Sequence, residues 1–130
     1  MHAEHADGAR LNDLSGRAIG CVFTGLNTLG VGFLEKVYEN ALAQELRDAG
    51  LAVEQQCSVK VHYHDVVVGE YSTDLLVEDV LLVELKTVRA SDDVHRMQCT
   101  NYLKATDLPL CLLLNFGKPC LEIKRVVRGL

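Results

Sequence analysis

Apolar residues recur at helical spacing along the first third of the chain, then alternate, then run almost unbroken through the middle. Over residues 14–26, Leu14, Ala18 and Val22 lie one turn apart with Ile19, Phe23 and Leu26 beside them, and Asn12 or Asp13 precedes as a cap. This predicts a first helix. A glycine-marked turn at Gly30 and Gly32 ends it. A second helix over residues 33–49 carries Leu34, Val37, Tyr38, Ala41, Leu42 and Leu46 on one stripe, with Gly50 as its C-terminal stop. From Ala52 the period is two: Val53, Gln55, Cys57, Val59, Val61 and Tyr63 alternate with polar neighbours, and His64-Asp65 begins a turn. Residues 66–77 and 81–88 are broken only by Gly69 and Glu78-Asp79, and such aliphatic runs predict central strands covered on both faces. Ser91 or Asp92 caps a third helix to about residue 105, and residues 110–116 and 120–127 read as two more strands. The order ααβββαββ predicts an α/β (α+β) fold with a mixed sheet flanked by helices. The expected organisation is a single domain over residues 13–130 after a disordered polar N-terminal tail over residues 1–12.

Composition narrows the class. A chain of 130 residues suits one core. No apolar stretch is long enough to span a bilayer, and the polar, His-rich start is unlike a secretory signal, so the expected location is cytoplasmic, with no membrane partner. Five cysteines, an odd number without a C-x-x-C pair and mostly beside aliphatic residues, suit reduced thiols. The net charge of -5 argues against a protein that coats nucleic acid by bulk attraction. The charge is uneven, however. Residues 1–85 carry 5 basic and 14 acidic side chains, and residues 86–130 carry 8 basic and 4 acidic. Lys86, Arg89, Arg96, Lys104, Lys118, Lys124, Arg125 and Arg128 either line a phosphate-binding surface or are ordinary solvated charges.

The chemistry is concentrated in two apolar strands. Asp74 stands in Thr-Asp-Leu-Leu-Val, and Glu84 with Lys86 in Val-Glu-Leu-Lys. A carboxylate among buried aliphatic residues is costly unless it is paired or bound to a metal. Glu84 and Lys86 share a strand face, and Asp74 joins them only if the hairpin loop is odd, as with Glu78-Asp79-Val80, or carries a bulge. Two carboxylates beside an ammonium suit magnesium held against a phosphate. Glu35, in the first turn of the second helix, is a third acid, and Gln98 and Tyr102 lie four apart on the third. The pairs His62 with His64 and His95 with Cys99 have zinc-compatible spacing but no evident further ligands.

The segments Gly32 to Tyr38, Gly69-Glu70-Tyr71, Asp74 to Glu78, Val83 to Lys86, Gln98 with Asn101-Tyr102-Leu103, and Leu112 to Gly117 together resemble the GxxExxY protein family, a small branch similar to the PD-(D/E)xK nuclease superfamily. The resemblance covers roughly residues 14–128. It implies a PD-(D/E)xK nuclease-like fold with Asp74, Glu84 and Lys86 as catalytic residues. Asp74, Glu84, Glu35 and the Leu85 carbonyl would be ligands to Mg2+ or Mn2+. Gln98, Tyr102, Tyr38, Arg89 and Arg96 would contact or support nucleic acid. Thr24, Leu26 and Val31 replace the Glu, His and Pro that many relatives carry, and Ser72 and Thr73 stand where many have Arg before the strand Asp. The implied activity is metal-dependent hydrolysis of phosphodiester bonds in DNA, or in RNA. The alternative is an inactive nuclease-fold module that binds nucleic acid or assembles as a homo-oligomer.

Overall fold

The computed structural model describes residues 2–89 and 93–128, with side chains from residue 8 onward. Its elements are α1 (His2–Leu29), α2 (Glu35–Asp48), β1 (Val53–Tyr63), β2 (Val66–Val77), β3 (Leu81–Lys86), α3 (Asp93–Thr106), β4 (Leu110–Asn115) and β5 (Glu122–Val127). The strands form one sheet in the order β1-β2-β3-β4-β5. Only β3 and β4 run parallel, joined by α3 because a parallel pair needs a crossover connection. The other neighbours are antiparallel. This is the mixed sheet flanked by helices that the hydrophobic periods predict.

Two apolar clusters cover the sheet. Leu81, Val83 and Leu85 pack with Leu75, Leu112 and Leu114 against Val22 of α1 and Leu42 and Leu46 of α2. On the other face Leu82, Cys111 and Leu113 pack against Cys99, Tyr102 and Leu103 of α3. Since successive strand residues alternate faces, Glu84 and Lys86 follow Leu82 onto the α3 side. All five cysteines are free. No helix among the described residues is long and apolar enough to cross a membrane.

Several boundaries and faces differ from the sequence reading. α1 runs back through residues 8–12, which the sequence assigns to a polar tail. Polarity there marks a solvated helix face rather than a break. α2 begins at Glu35, with Leu34 as its extended N-cap. Its buried stripe is Tyr38, Glu39, Leu42, Ala43 and Leu46, so Leu34 and Val37 lie outside it. The helix stops as expected: Gly50 takes φ +84°, and the Leu51 N–H donates to the Leu46 carbonyl at 3.0 Å, which satisfies an end carbonyl. β3 ends at Lys86 and β5 starts at Glu122. The expected caps Ser91 and Asp92 lie outside the described residues.

The run over residues 66–77 is not a strand covered on both faces. Val66, Val67 and Val68 are exposed, because this half of β2 pairs only with the edge strand β1, beyond the end of β3. Its valines reflect strand propensity rather than burial.

Candidate active site

The hairpin between β2 and β3 sets the site. Its loop is the three residues Glu78, Asp79 and Val80, closed by Val77 opposite Leu81. Glu78 and Asp79 both take positive φ, 52° and 59°. The Glu78 backbone N–H donates to the Ala52 carbonyl at 2.9 Å, and its carboxylate accepts the Ala52 N–H at 2.7 Å. The odd loop is the condition that sequence parity demands for Asp74 to face Glu84.

Paired residues run from Val77 and Leu81 to Leu75 and Val83, where the ladder stops. Beyond it, side chains replace backbone pairing. The Asp74 N–H donates to Glu84 Oε1 at 2.9 Å, and the Leu85 N–H donates to Asp74 Oδ2 at 2.8 Å. Each acid is thus held by the main chain of the opposite strand, and the opened ladder leaves both carboxylates at one place. These bonds satisfy buried donors that the parted strands would otherwise leave unpaired.

The electrostatics agree with a crowded acidic site. Burial pushes Glu84 up to about 8, and the Asp74 charge adds to the effect. Burial also raises Asp74, against the lowering influence of the Leu85 N–H and the Gln56 amide. Glu35 is raised by burial and by Asp74, and lowered by Lys86 and the Thr87 backbone hydrogen bond. Lys86 lowers all three acids, so its ammonium lies within electrostatic reach of each. The structure therefore holds Asp74 of β2 and Glu84 of β3 together, with Lys86 of β3 and Glu35 of α2 within electrostatic reach.

The supporting residues divide. Tyr102 packs under the site from α3, raised to about 12 by burial and by Glu84. Gln98 lies on the same helix in the adjoining groove. Tyr38 is structural in its contacts: its hydroxyl donates to the Gly30 carbonyl at 2.6 Å and accepts the Phe33 N–H at 3.2 Å. Its ring stacks on Phe116 at 4.3 Å. Arg89 and Arg96 are exposed. The rest of the basic set is not one phosphate-binding surface. Lys118 pairs with Glu122, Arg128 with Asp107, and Arg125 bonds Asn12.

Sequence reasoning missed a positioning network. Glu39 is buried and accepts hydrogen bonds from Lys36 at 3.0 Å, Gln55 at 2.8 Å and Gln56 at 2.8 Å. Gln56 reaches on to Asp74 at 3.3 Å. Gln56 itself has φ 56°, and the ribbon changes face around it: Val53 packs with the α1–α2 cluster and Val59 with the α3 cluster. The available signal was Glu39 four residues after Glu35, one helix turn along the same face. Asn115 was missed as well. Its carbonyl oxygen accepts the Val88 N–H at 3.1 Å and the Gly117 N–H at 2.9 Å, tying down the segment that follows Lys86.

The donor set fits a hard divalent cation. Carboxylates that burial and mutual repulsion raise gain most from a cation between them. Among the described residues no group of three His, Cys, Asp or Glu side chains is arranged to hold a metal. Two carboxylates completed by carbonyl, water or phosphate oxygens would be the composition, which is how magnesium is commonly bound. The zinc-compatible pairs find no third ligand there either.

A family model describing the PD-(D/E)XK nuclease superfamily matches residues 12–126. No curated protein matches the chain significantly. Among solved structures, SSO0001 is similar with a TM-score of 0.53 and 16% identity, over 73% of this chain and 50% of that one. An alkaline exonuclease, LHK-Exo from Laribacter hongkongensis, superposes with a TM-score of 0.45 and 15% identity, over 72% of this chain and 56% of that one. The chain thus spans about half the length of either structure.

Proposed function

Because the chain belongs to the PD-(D/E)XK nuclease superfamily, we propose that Asp74, Glu84, Lys86 and Glu35 form the catalytic centre of a metal-dependent nuclease that hydrolyses phosphodiester bonds in DNA or RNA. The Gly32 to Tyr38 segment supports placing it in the GxxExxY branch, since its Glu35 joins the acids and its Tyr38 fixes the turn before them. The observation that carries the reading is the reciprocal hold of Asp74 and Glu84 at the opened ladder.

In this reading Asp74, Glu84 and the Leu85 carbonyl would hold magnesium or manganese, and Glu35, expected from the sequence as a further ligand, lies within electrostatic reach of Asp74 but completes no three-acid cluster among the described residues. When bound, such an ion neutralises charge on the phosphate and lowers the pKa of a bound water. Glu84 gives up the proton it carries near neutral pH on loading, so affinity rises with pH. Lys86 keeps a fixed positive charge beside the reacting phosphate. Arg89 and Arg96 contact flanking phosphates, which position a strand without reading its sequence.

Calorimetric titration with magnesium or manganese tests this on the wild type and Asp74→Ala/Glu84→Ala, with cleavage of pooled DNA and RNA measured on the same samples. The expected result is binding and cleavage in the wild type and neither in the variant, with Lys86→Ala cutting at least about a hundredfold more slowly. Undiminished cleavage by these variants overturns the assignment. The small ligand set favours one second reading, a nuclease-fold module that binds nucleic acid or self-assembles without cutting. Nucleic-acid binding with no cation binding would select it.

A further inference from the structure

A groove of about 840 Å³ lies between α3 and the β1–β2 ribbon, outside the acidic cluster but sharing Tyr102 and Gln98 with its surroundings. Tyr102 is buried, and the Glu84 charge acts on its hydroxyl. The inner end of the groove is therefore next to the carboxylates. The lining is aromatic, apolar and charged, with Asp93 of α3 as its one acid. Tyr71 of β2 leaves 52% of its surface exposed, its ring tilted 49° against Tyr102 at 5.8 Å. Met97 of α3 adds an exposed apolar surface. Lys60 of β1, opposite Glu70 in the ribbon register, and Lys104 of α3 both line the groove, both exposed and neither ion-paired among the described residues.

We propose that this groove binds unpaired nucleotides of a nucleic-acid strand that continues into the carboxylate site, with a base stacked on Tyr71 and the backbone between Lys60 and Lys104. This rests on the catalytic reading for its direction but not for its contacts. The chemistry selects the occupant. Lys60 and Lys104 outnumber Asp93, the one acid of the lining, so in a chain of net charge -5 the groove is a local complement to phosphates. An exposed aromatic ring in the same groove suits a base face, as in single-strand binding sites. A duplex keeps its base faces stacked inside and brings only phosphates and groove edges to a recessed ring. Gln98 supplies an amide that can meet an unpaired base edge.

The test is fluorescence anisotropy in EDTA, where cleavage cannot intervene, with labelled oligothymidylate, oligouridylate and a blunt duplex of matching length. Single strands are expected to bind at least about tenfold more tightly than the duplex, and Tyr71→Ala to lose about tenfold, the scale of one base–aromatic stack. Tyr71→Phe keeps the ring and should bind as the wild type does. Lys60→Ala/Lys104→Ala should lower the salt slope by about 1.4, for two single-strand phosphate contacts. The better-bound oligonucleotide identifies DNA or RNA as the source. Equal or tighter duplex binding, or unchanged binding by Tyr71→Ala, overturns the proposal. Cleavage of blunt duplex at a rate indifferent to Tyr71→Ala removes the groove and leaves the catalytic reading standing. Tyr71-dependent binding by a wild type that neither cuts nor takes up magnesium does the reverse.

Discussion

Glu84 is the residue on which the site's electrostatics turn. Its carboxyl is buried, faces Asp74 and titrates at about 8 instead of 4.5. At pH 7 the cation-free protein keeps it mostly protonated, while the backbone bond from Asp74 holds it in place. Glu84→Gln preserves that acceptor and removes the titration, so the cation-free protein should gain about 1–3 kcal/mol at pH 8 by urea denaturation, while magnesium binding is lost. Gly117 is a second decisive residue, for steric reasons. A Cβ there would collide with both the backbone nitrogen and oxygen of Val88. Gly117→Ala should cost about 2–4 kcal/mol in the same assay, through overpacking against main chain that cannot yield. A cost under about 0.5 kcal/mol would show that the segment after Lys86 is free to move.

Among the elements, α2 does most to relate the sequence to the site. Its N-terminus supplies Glu35 and its inner face supplies Glu39, which holds both Gln55 and Gln56 of β1. Glu39→Ala frees these amides from their buried anchor, and is expected to destabilise by about 1–2 kcal/mol and to lower magnesium affinity by loosening Gln56 against Asp74. The conservative Glu39→Gln should recover most of the stability. Calorimetry on the two variants separates positioning from packing. At the start of α2, Tyr38→Phe keeps the stack on Phe116 but loses both hydroxyl bonds to the preceding turn. Faster amide exchange confined to residues 30–35 is expected, with a cost of about 1 kcal/mol.

The pH dependence belongs to the whole molecule, because Glu35, Asp74 and Glu84 are all raised and come from three elements. A carboxyl whose folded pKa exceeds its unfolded value stabilises when protonated. For Glu84 that contribution is complete below about 4.5 and is lost as pH rises through about 8. The cation-free protein should therefore unfold at lower temperature at pH 8 than at pH 5, by an amount on the order of 2 kcal/mol. Magnesium should restore more stability at pH 8 than at pH 5, because it competes with the proton for the same oxygens. Thermal melts at both pH values, with and without magnesium, check the sign, and Glu84→Gln should remove most of the slope.

The order of elements and the identity of the central acids were legible in the sequence because they depend on period and composition. Leu82, Val83 and Leu85 around Glu84 mark burial, and burial makes a carboxylate conspicuous. Parity alone showed that a three-residue loop would bring Asp74 opposite Glu84. The tertiary structure decided what depends on distant residues meeting. Glu39 met Gln56 across two elements, Asn115 met Val88 across the parallel crossover, and the valines of residues 66–68 were left exposed because no third strand reaches them. Local pattern records whether a position suits a helix or a sheet, whereas its neighbours are fixed only when the sheet order and helix docking close those long loops.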